Sequence, residues 1–179
     1  MHRMNRILGG LALAAAVGIP PAAVSAHALG PDAGHIAVGA GHYVAAGTLD
    51  VRFSFAAMTD EDGRAVGAFH GRSEDALGSI EFFAKVTCLT VDIANGRAWV
   101  GGLIVTNRST SADYQKENHQ PGHDIWFRVV DNGGVAADRS TFLGFEGVIP
   151  SSAEYCATQP WPAGDARTWA VTSGHITVR

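Results

Sequence analysis

The sequence predicts an all-β domain, either a single antiparallel β-barrel or a two-layer β-sandwich of about eight strands. Three observations carry that expectation. Short runs of alternating apolar and polar residues recur between clusters of Gly, Asn and Asp, and no amphipathic helical spacing survives a count. The stretch from Phe82 to Thr106 is two apolar segments hinged on Asn95-Gly96, a strong hairpin signal because a type I′ turn needs positive φ at both central positions. The chain ends on Gly174-His175-Ile176-Thr177-Val178, which echoes Gly34-His35-Ile36-Ala37-Val38 and suggests similar terminal strands that lie side by side and close the sheet.

Ahead of the strands, Met1 to Ala26 reads as a secretory leader. Arg3 and Arg6 form its charged start, Ile7 to Ile19 its apolar run and Val24-Ser25-Ala26 a small-residue cleavage site, with a second cut available after Ala28. The apolar run is shorter than the roughly 20 residues a membrane span needs, and Pro20-Pro21 ends it. Residues 27–179 then form one exported domain, secreted, periplasmic or at the cell surface, with length for a single core. The whole chain carries Lys+Arg 13 against Asp+Glu 17, a net charge of −4, and both leader arginines are lost on cleavage. No basic stripe is present, so a nucleic-acid partner is not expected, and no membrane span is expected in the mature part.

The two cysteines, Cys88 and Cys156, enter an oxidising compartment together, and a single disulfide is the expectation. Closing so long a loop is worth about 4 kcal/mol in the chain-entropy model. The pair is not a C-x-x-C redox motif.

Taken in order, His35 to Val44 is a strand of low bulk, interrupted by Gly39 and Gly41 and expected at an edge or a bulge. Leu49, Val51, Phe53 and Phe55 alternate with polar residues and define a half-buried strand. Thr59 to Gly63 turns the chain into a strand from Arg64 to His70. Asp60-x-Asp62-Gly63 has the start of a calcium loop but not its further ligands, so an acidic hairpin turn is expected. Arg72 to Gly78 reads as a polar loop.

In the long hairpin a two-residue turn at Asn95-Gly96 would set Val91 opposite Val100, Leu89 opposite Gly102 and Cys88 opposite Leu103. The apolar face is then Leu89, Val91 and Ile93 near the turn but Phe82, Val86 and Cys88 towards the open end. The buried side therefore changes or doubles near Cys88, opposite Gly101-Gly102, and the hairpin should bend there.

Asn107 to Gly122 is a polar surface excursion that contains a glycosylation sequon, Asn107-Arg108-Ser109. His123 to Val130 is a strand, Asp131 to Gly134 a turn, Thr141 to Ile149 a further strand, Pro150 to Arg167 an irregular loop, and Trp169 to Val178 the last strand or strand pair.

The residues Val86 to Val91, Asn95-Gly96, Val100-Gly101-Gly102, Phe127 to Gly133, Asp138 and Gly174-His175-Ile176 together resemble a group of secreted bacterial β-rich domains, post-COAP-1-like, of uncharacterised function. The resemblance covers most of the mature chain but rests on turns and strands. It implies fold and export and carries no catalytic residue.

The nearest approach to a chemical constellation is His119, His123 and Asp124, two histidines four apart and a carboxylate, which could supply metal ligands. Pro121 and Gly122 exclude the helical form of that spacing, and solvated loop residues are the competing interpretation. His35 and His175 would meet only if the terminal strands brought them level. No G-x-S-x-G elbow is present. Trp99, Trp126, Trp161 and Trp169 could line a carbohydrate or small-molecule surface or pack as core. No cofactor is implied.

The expectation is therefore a non-enzymatic exported β-domain that binds a small molecule, a carbohydrate or a cell-surface partner. The alternative is a hydrolase or metal-dependent enzyme seated on residues 107–124.

Overall fold

The computed structural model describes residues 34–75, 77–143, 149–162 and 166–179, and the predicted leader lies outside them. The strands among the described residues all belong to one compact unit within residues 31–179. Among the described residues, β1 (Ile36–Ala45), β2 (Leu49–Thr59), β3 (Ala65–Asp75), β4 (Gly78–Asp92), β5 (Arg97–Asn107), β6 (Asp124–Val130), β7 (Arg139–Ser140), β8 (Trp169–Ala170) and β9 (Ser173–Val178) form one nine-stranded sheet. Its order is β8-β7-β6-β5-β4-β3-β2-β1-β9, antiparallel throughout. Eight strands are a plain meander, and the ninth returns to the first. The sheet curls into a half-barrel.

The inside is filled by aromatic rings. Trp169 stacks on Tyr43 at 6.1 Å, Tyr43 meets Phe53 at 5.7 Å, Phe53 meets Phe55 at 6.1 Å, and Phe55 and Phe69 each meet Phe127 at 5.1 Å. Aliphatic residues such as Val51, Ile104, Ile125 and Ile176 pack around this line. The Tyr43 hydroxyl donates to the Thr141 carbonyl at 2.7 Å, and burial holds its phenol well above the ordinary range.

The terminal strands do lie side by side: Gly39 pairs with Ile176 and Gly41 with Gly174. β1 is therefore flanked by β2 and β9, which corrects the expected edge or bulge. Its low bulk has another cause. A Cβ at Gly39 would sit 2.8 Å from the Phe55 ring, and one at Gly41 would sit 2.7 Å from Val171.

The hairpin turn holds four residues, not two. Ile93–Asn95 make a 3-10 turn whose leading residue, Asp92, accepts from the Asn95 N–H, and Gly96 closes it at φ 60°. A carboxylate placed to accept from that N–H favours such a local turn over a two-residue one. Val91 thus pairs with Ala98 and Leu89 with Val100, two residues off the expected register. Because side chains alternate with a period of two, the displacement keeps the same faces buried.

The change of face near Cys88 is real. Thr87 is the extra residue of a bulge between Val86 and Cys88: before it Ile80, Phe82, Ala84 and Val86 face the core, and after it Leu89 and Val91 do.

The outer side of this bend is covered by α1 (Ser152–Thr158), in a segment expected to be irregular. Ser151 caps it by accepting from the Glu154 N–H, and Asp124 accepts from the Ser152 N–H at 2.8 Å and from its hydroxyl. Cys88 is bonded to Cys156 across a Cα–Cα distance of 6.2 Å. Gly101 is required by this packing, since a Cβ there would lie 2.6 Å from both the Cys88 sulfur and the Ser152 Cβ. Trp99, Trp126 and Tyr155 make a second small core beneath the helix.

Two further expectations are corrected. Residues 72–75 extend β3, because Ser73 points inward while Arg72 and Glu74 pair at the surface. Thr141 to Leu143 are not strand, the rest of the predicted 141–149 strand up to residue 148 lies outside the described residues, and the strand after β6 is the two-residue β7.

One edge of the half-barrel is closed by side chains. Asp138 Oδ2 accepts from the Ile176 N–H at 2.8 Å and Oδ1 from the Asn132 N–H at 3.0 Å, while Asp131 Oδ2 accepts from the Val178 N–H at 3.1 Å. Replacing Asp138 by Ala orphans two backbone donors and is expected to cost about 2–4 kcal/mol in urea unfolding, with Asp138→Asn losing less. Replacing both cysteines by Ala is expected to lower stability by about 3–4 kcal/mol, read from the shift in urea midpoint. Ser73, 1 % exposed with no partner for its hydroxyl, is expected to be replaced by Ala without loss of stability.

Candidate functional site

The 107–124 segment is ordered by its own first residue. The Asn107 side chain donates to the Tyr114 carbonyl at 2.7 Å and the His119 carbonyl at 2.9 Å and accepts from the Ser109 N–H at 2.8 Å. The excursion therefore folds down on the half-barrel instead of projecting from it. The sequon competes with this arrangement, because a glycan would occupy the same amide nitrogen.

His119, His123 and Asp124 are not brought together. The His119 ring is 8 % exposed and sits 5.0 Å from the Tyr114 ring and 6.1 Å from that of Phe82. Burial pushes its imidazole below the usual value, and Lys116 adds to the effect. His123 is exposed, and its backbone carbonyl accepts from the Ile104 N–H. Asp124 turns to the start of α1. Three groups serve three places, and among the described residues no cluster of three or more His, Cys, Asp or Glu has a metal-binding arrangement.

The other nominated residues also have structural occupations. Asp60 Oδ1 accepts from the Arg64 and Asp62 N–H groups at 2.8 and 3.0 Å, and Arg64 pairs with both carboxylates, so the calcium-like turn is an Asx turn closed by an arginine. The bond from the Arg64 backbone, foremost, holds the Asp60 carboxyl below its usual range. His175 lies opposite Ala40, five residues along β1 from His35, or roughly 17 Å, so those two histidines do not meet. Trp99 and Trp126 are buried beneath α1. Trp161 has the Arg97 guanidinium 4.2 Å and the Arg128 guanidinium 5.3 Å from its ring centre, and Trp169 is stacked on Tyr43.

Two surface arrangements had no sequence motif. The His42 ring bonds the Thr172 hydroxyl through Nδ1 at 2.9 Å and Asp50 through Nε2 at 2.8 Å, a hydroxyl–imidazole–carboxylate relay. Its members are 130 and eight residues apart, so only the β1–β9 and β1–β2 registers assemble it. Asp50 is 55 % exposed, and the Thr172 hydroxyl and N–H also reach the His42 carbonyl, which makes the group a clasp on the turn into β9.

The second arrangement is the outer wall of β1–β4. Ile36, Met58 and Val66 form one rung across it and Val38, Ala56 and Ala68 the next. Ala40, Ser54, His70 and Phe83 make a mixed third rung, and His42, Arg52, Arg72 and Glu81 a charged fourth. Phe83 carries the His70 ring at 4.1 Å and the Arg108 guanidinium at 5.2 Å. The outward alternation of each strand could have shown this division; the missing information was the register that stacks the rungs.

No family model, curated protein or solved structure matches the chain.

Replacing Asn107 by Ala removes all three bonds of its side chain. The variant is expected to be cut by protease within residues 110–121 at concentrations that leave the parent intact, with a stability loss of about 2 kcal/mol.

Proposed function

We propose that this chain is an exported, non-enzymatic β-domain that makes contacts at the cell surface through the outer wall of β1–β4. The observation that carries this reading is the aromatic filling of the half-barrel, which leaves recognition to its outside. Among the described residues α1 packs on β5, β6 and the part of β4 near Cys88, which leaves the outer wall of β1–β3 with Glu81 and Phe83 of β4 as the broad uncovered face. The disulfide is compatible with an oxidising, exported location.

The apolar rungs cover roughly 200 Å², well under the 800 Å² per partner of a standard stable interface. A patch of that size supports weak, repeated contact with an extended surface rather than one tight complex.

Co-sedimentation of the purified domain with isolated bacterial envelopes tests this. The parent is expected to pellet with them, and the double variant Met58→Glu, Ala68→Glu to remain mostly in solution; a parent that stays wholly in the supernatant ends the proposal. The hydroxyl–imidazole–carboxylate relay favours a second reading, a hydrolase using Thr172, His42 and Asp50. Ester turnover that is abolished by Thr172→Val would establish it in place of the first.

A further inference from the structure

We infer that a recess in the inner wall of the half-barrel, at Gly71 and Ser73, is a ligand site plugged by Leu143, and that it takes a small uncharged molecule with an apolar body and one hydroxyl or carbonyl oxygen. The inference is separate from the outer-wall reading, because that wall is the other face of the same strands. Two inward rungs define the place. Val51, Ser73 and Ile80 pair across β2, β3 and β4, and Phe53, Gly71 and Phe82 make the next inward rung. In both rungs β3 supplies a small residue between two bulky apolar ones, so the wall is hollowed there. Leu143 fills the hollow. A Cβ on Gly71 would lie 1.8 Å from its Cδ1 and 2.9 Å from its Cγ, so glycine is what admits it. Leu143 belongs to no strand and follows Thr141, whose N–H donates to the Arg128 carbonyl at 3.0 Å. Withdrawing it from the recess therefore breaks no ladder hydrogen bond.

The recess has an apolar lining and one unused polar atom. Val51, Ile80, Phe82 and Phe142 line it with Leu143, and the Ser73 hydroxyl is buried among them with no hydrogen-bond partner among the described residues. The crevice measures about 180 Å³ out to its open mouth but is too narrow for a water molecule, so water does not satisfy the hydroxyl either. An unpaired buried hydroxyl opposes folding, and an alanine would complete the wall without that penalty. Folding thus gives no reason for an oxygen at this position, and a ligand does. An apolar hollow with a single placed hydroxyl suits a molecule of the same pattern. An ionised ligand does not suit it: Arg72 also borders the crevice but pairs its guanidinium with Glu74 at the outer surface, so a buried charge would go unanswered. With Leu143 in place the site is shut, and affinity is reduced by the fraction of molecules in which the leucine has withdrawn.

An amide NMR titration of the purified protein with benzyl alcohol tests the site, with ethylbenzene as the isostere that carries a methyl group in place of the hydroxyl. Benzyl alcohol is expected to give saturable shifts at Gly71, Ser73 and Ile80, while Gly63 and Gly133 in other turns stay unmoved. Ser73→Ala, expected to fold as stably as the parent, should weaken benzyl alcohol severalfold and leave ethylbenzene within about twofold. Leu143→Ala should bind benzyl alcohol severalfold tighter than the parent, since no side chain has to be displaced. Leu143→Val is read in the same way if the alanine variant does not fold. A parent without saturable shifts at these residues overturns the proposal. So does an alcohol affinity that Ser73→Ala leaves unchanged, an equal loss for ethylbenzene, or a folded Leu143 variant that binds no tighter than the parent.

Discussion

The fold depends on two aspartates that finish a sheet by side chain. A meander of antiparallel strands leaves two open edges, and an unpaired edge is a template for other chains. Here β9 satisfies one side by pairing with β1 and turns its other side to Asp131 and Asp138. Carboxylates can accept from amides that no neighbouring strand reaches, and each also holds the turn from which it comes, at Gly133 and Asn132. The same few atoms shape the segment after β6 and protect the last strand. The line of aromatic rings inside is kept from water because that edge is held.

Local chemistry was readable in the sequence where one residue type answers one requirement. The alternation of Leu49 to Phe55, the β4–β5 hairpin, the echo that pairs β1 with β9 and the Cys88–Cys156 bond are all of this kind. The bend near Cys88 was visible because a bulge must move the apolar residues from one alternation class to the other, and Val86 and Leu89 belong to different classes. What stayed hidden was set by distant partners. Gly39 and Gly41 look like weak-strand residues until Phe53, Phe55 and Val171 are placed against them. The turn of the hairpin depended on Asp92, just outside the Asn-Gly pair, and α1 on a capping-box spacing, Ser151 to Glu154, within a run of only seven helical residues. The surface features were the least readable. Both the His42 relay and the rungs of the outer wall are products of register, which couples residues that no spacing rule connects.

The two faces of the β4–β5 hairpin divide the molecule's stability between unlike sources. Inside, aromatic and aliphatic packing acts without direction, so the interior tolerates exchanges among apolar residues that conserve volume. Outside, α1 is positioned by directional groups: a disulfide, the Asp124 carboxylate, and the Thr90 hydroxyl donating to the Cys156 carbonyl at 3.0 Å. A helix of two turns has little intrinsic stability, so this covalent and polar attachment is what keeps the small core of Trp99, Trp126 and Tyr155 covered.

Pairing the first strand with the last also sets the order of folding events. The Ile36 and Arg179 backbones exchange two hydrogen bonds, at 2.8 and 2.9 Å, so the start of β1 and the end of β9 are neighbours although the seven other strands lie between them in sequence. Closure of so long a loop is entropically late, and the other strands can form their local hairpins well before it. A chain emerging from a ribosome can build β1 through β6 but cannot protect the free side of β1 until β9 has emerged as well. Until then β1 is an open edge. Speed at that last step, more than the depth of the finished energy well, governs how much of the protein escapes aggregation.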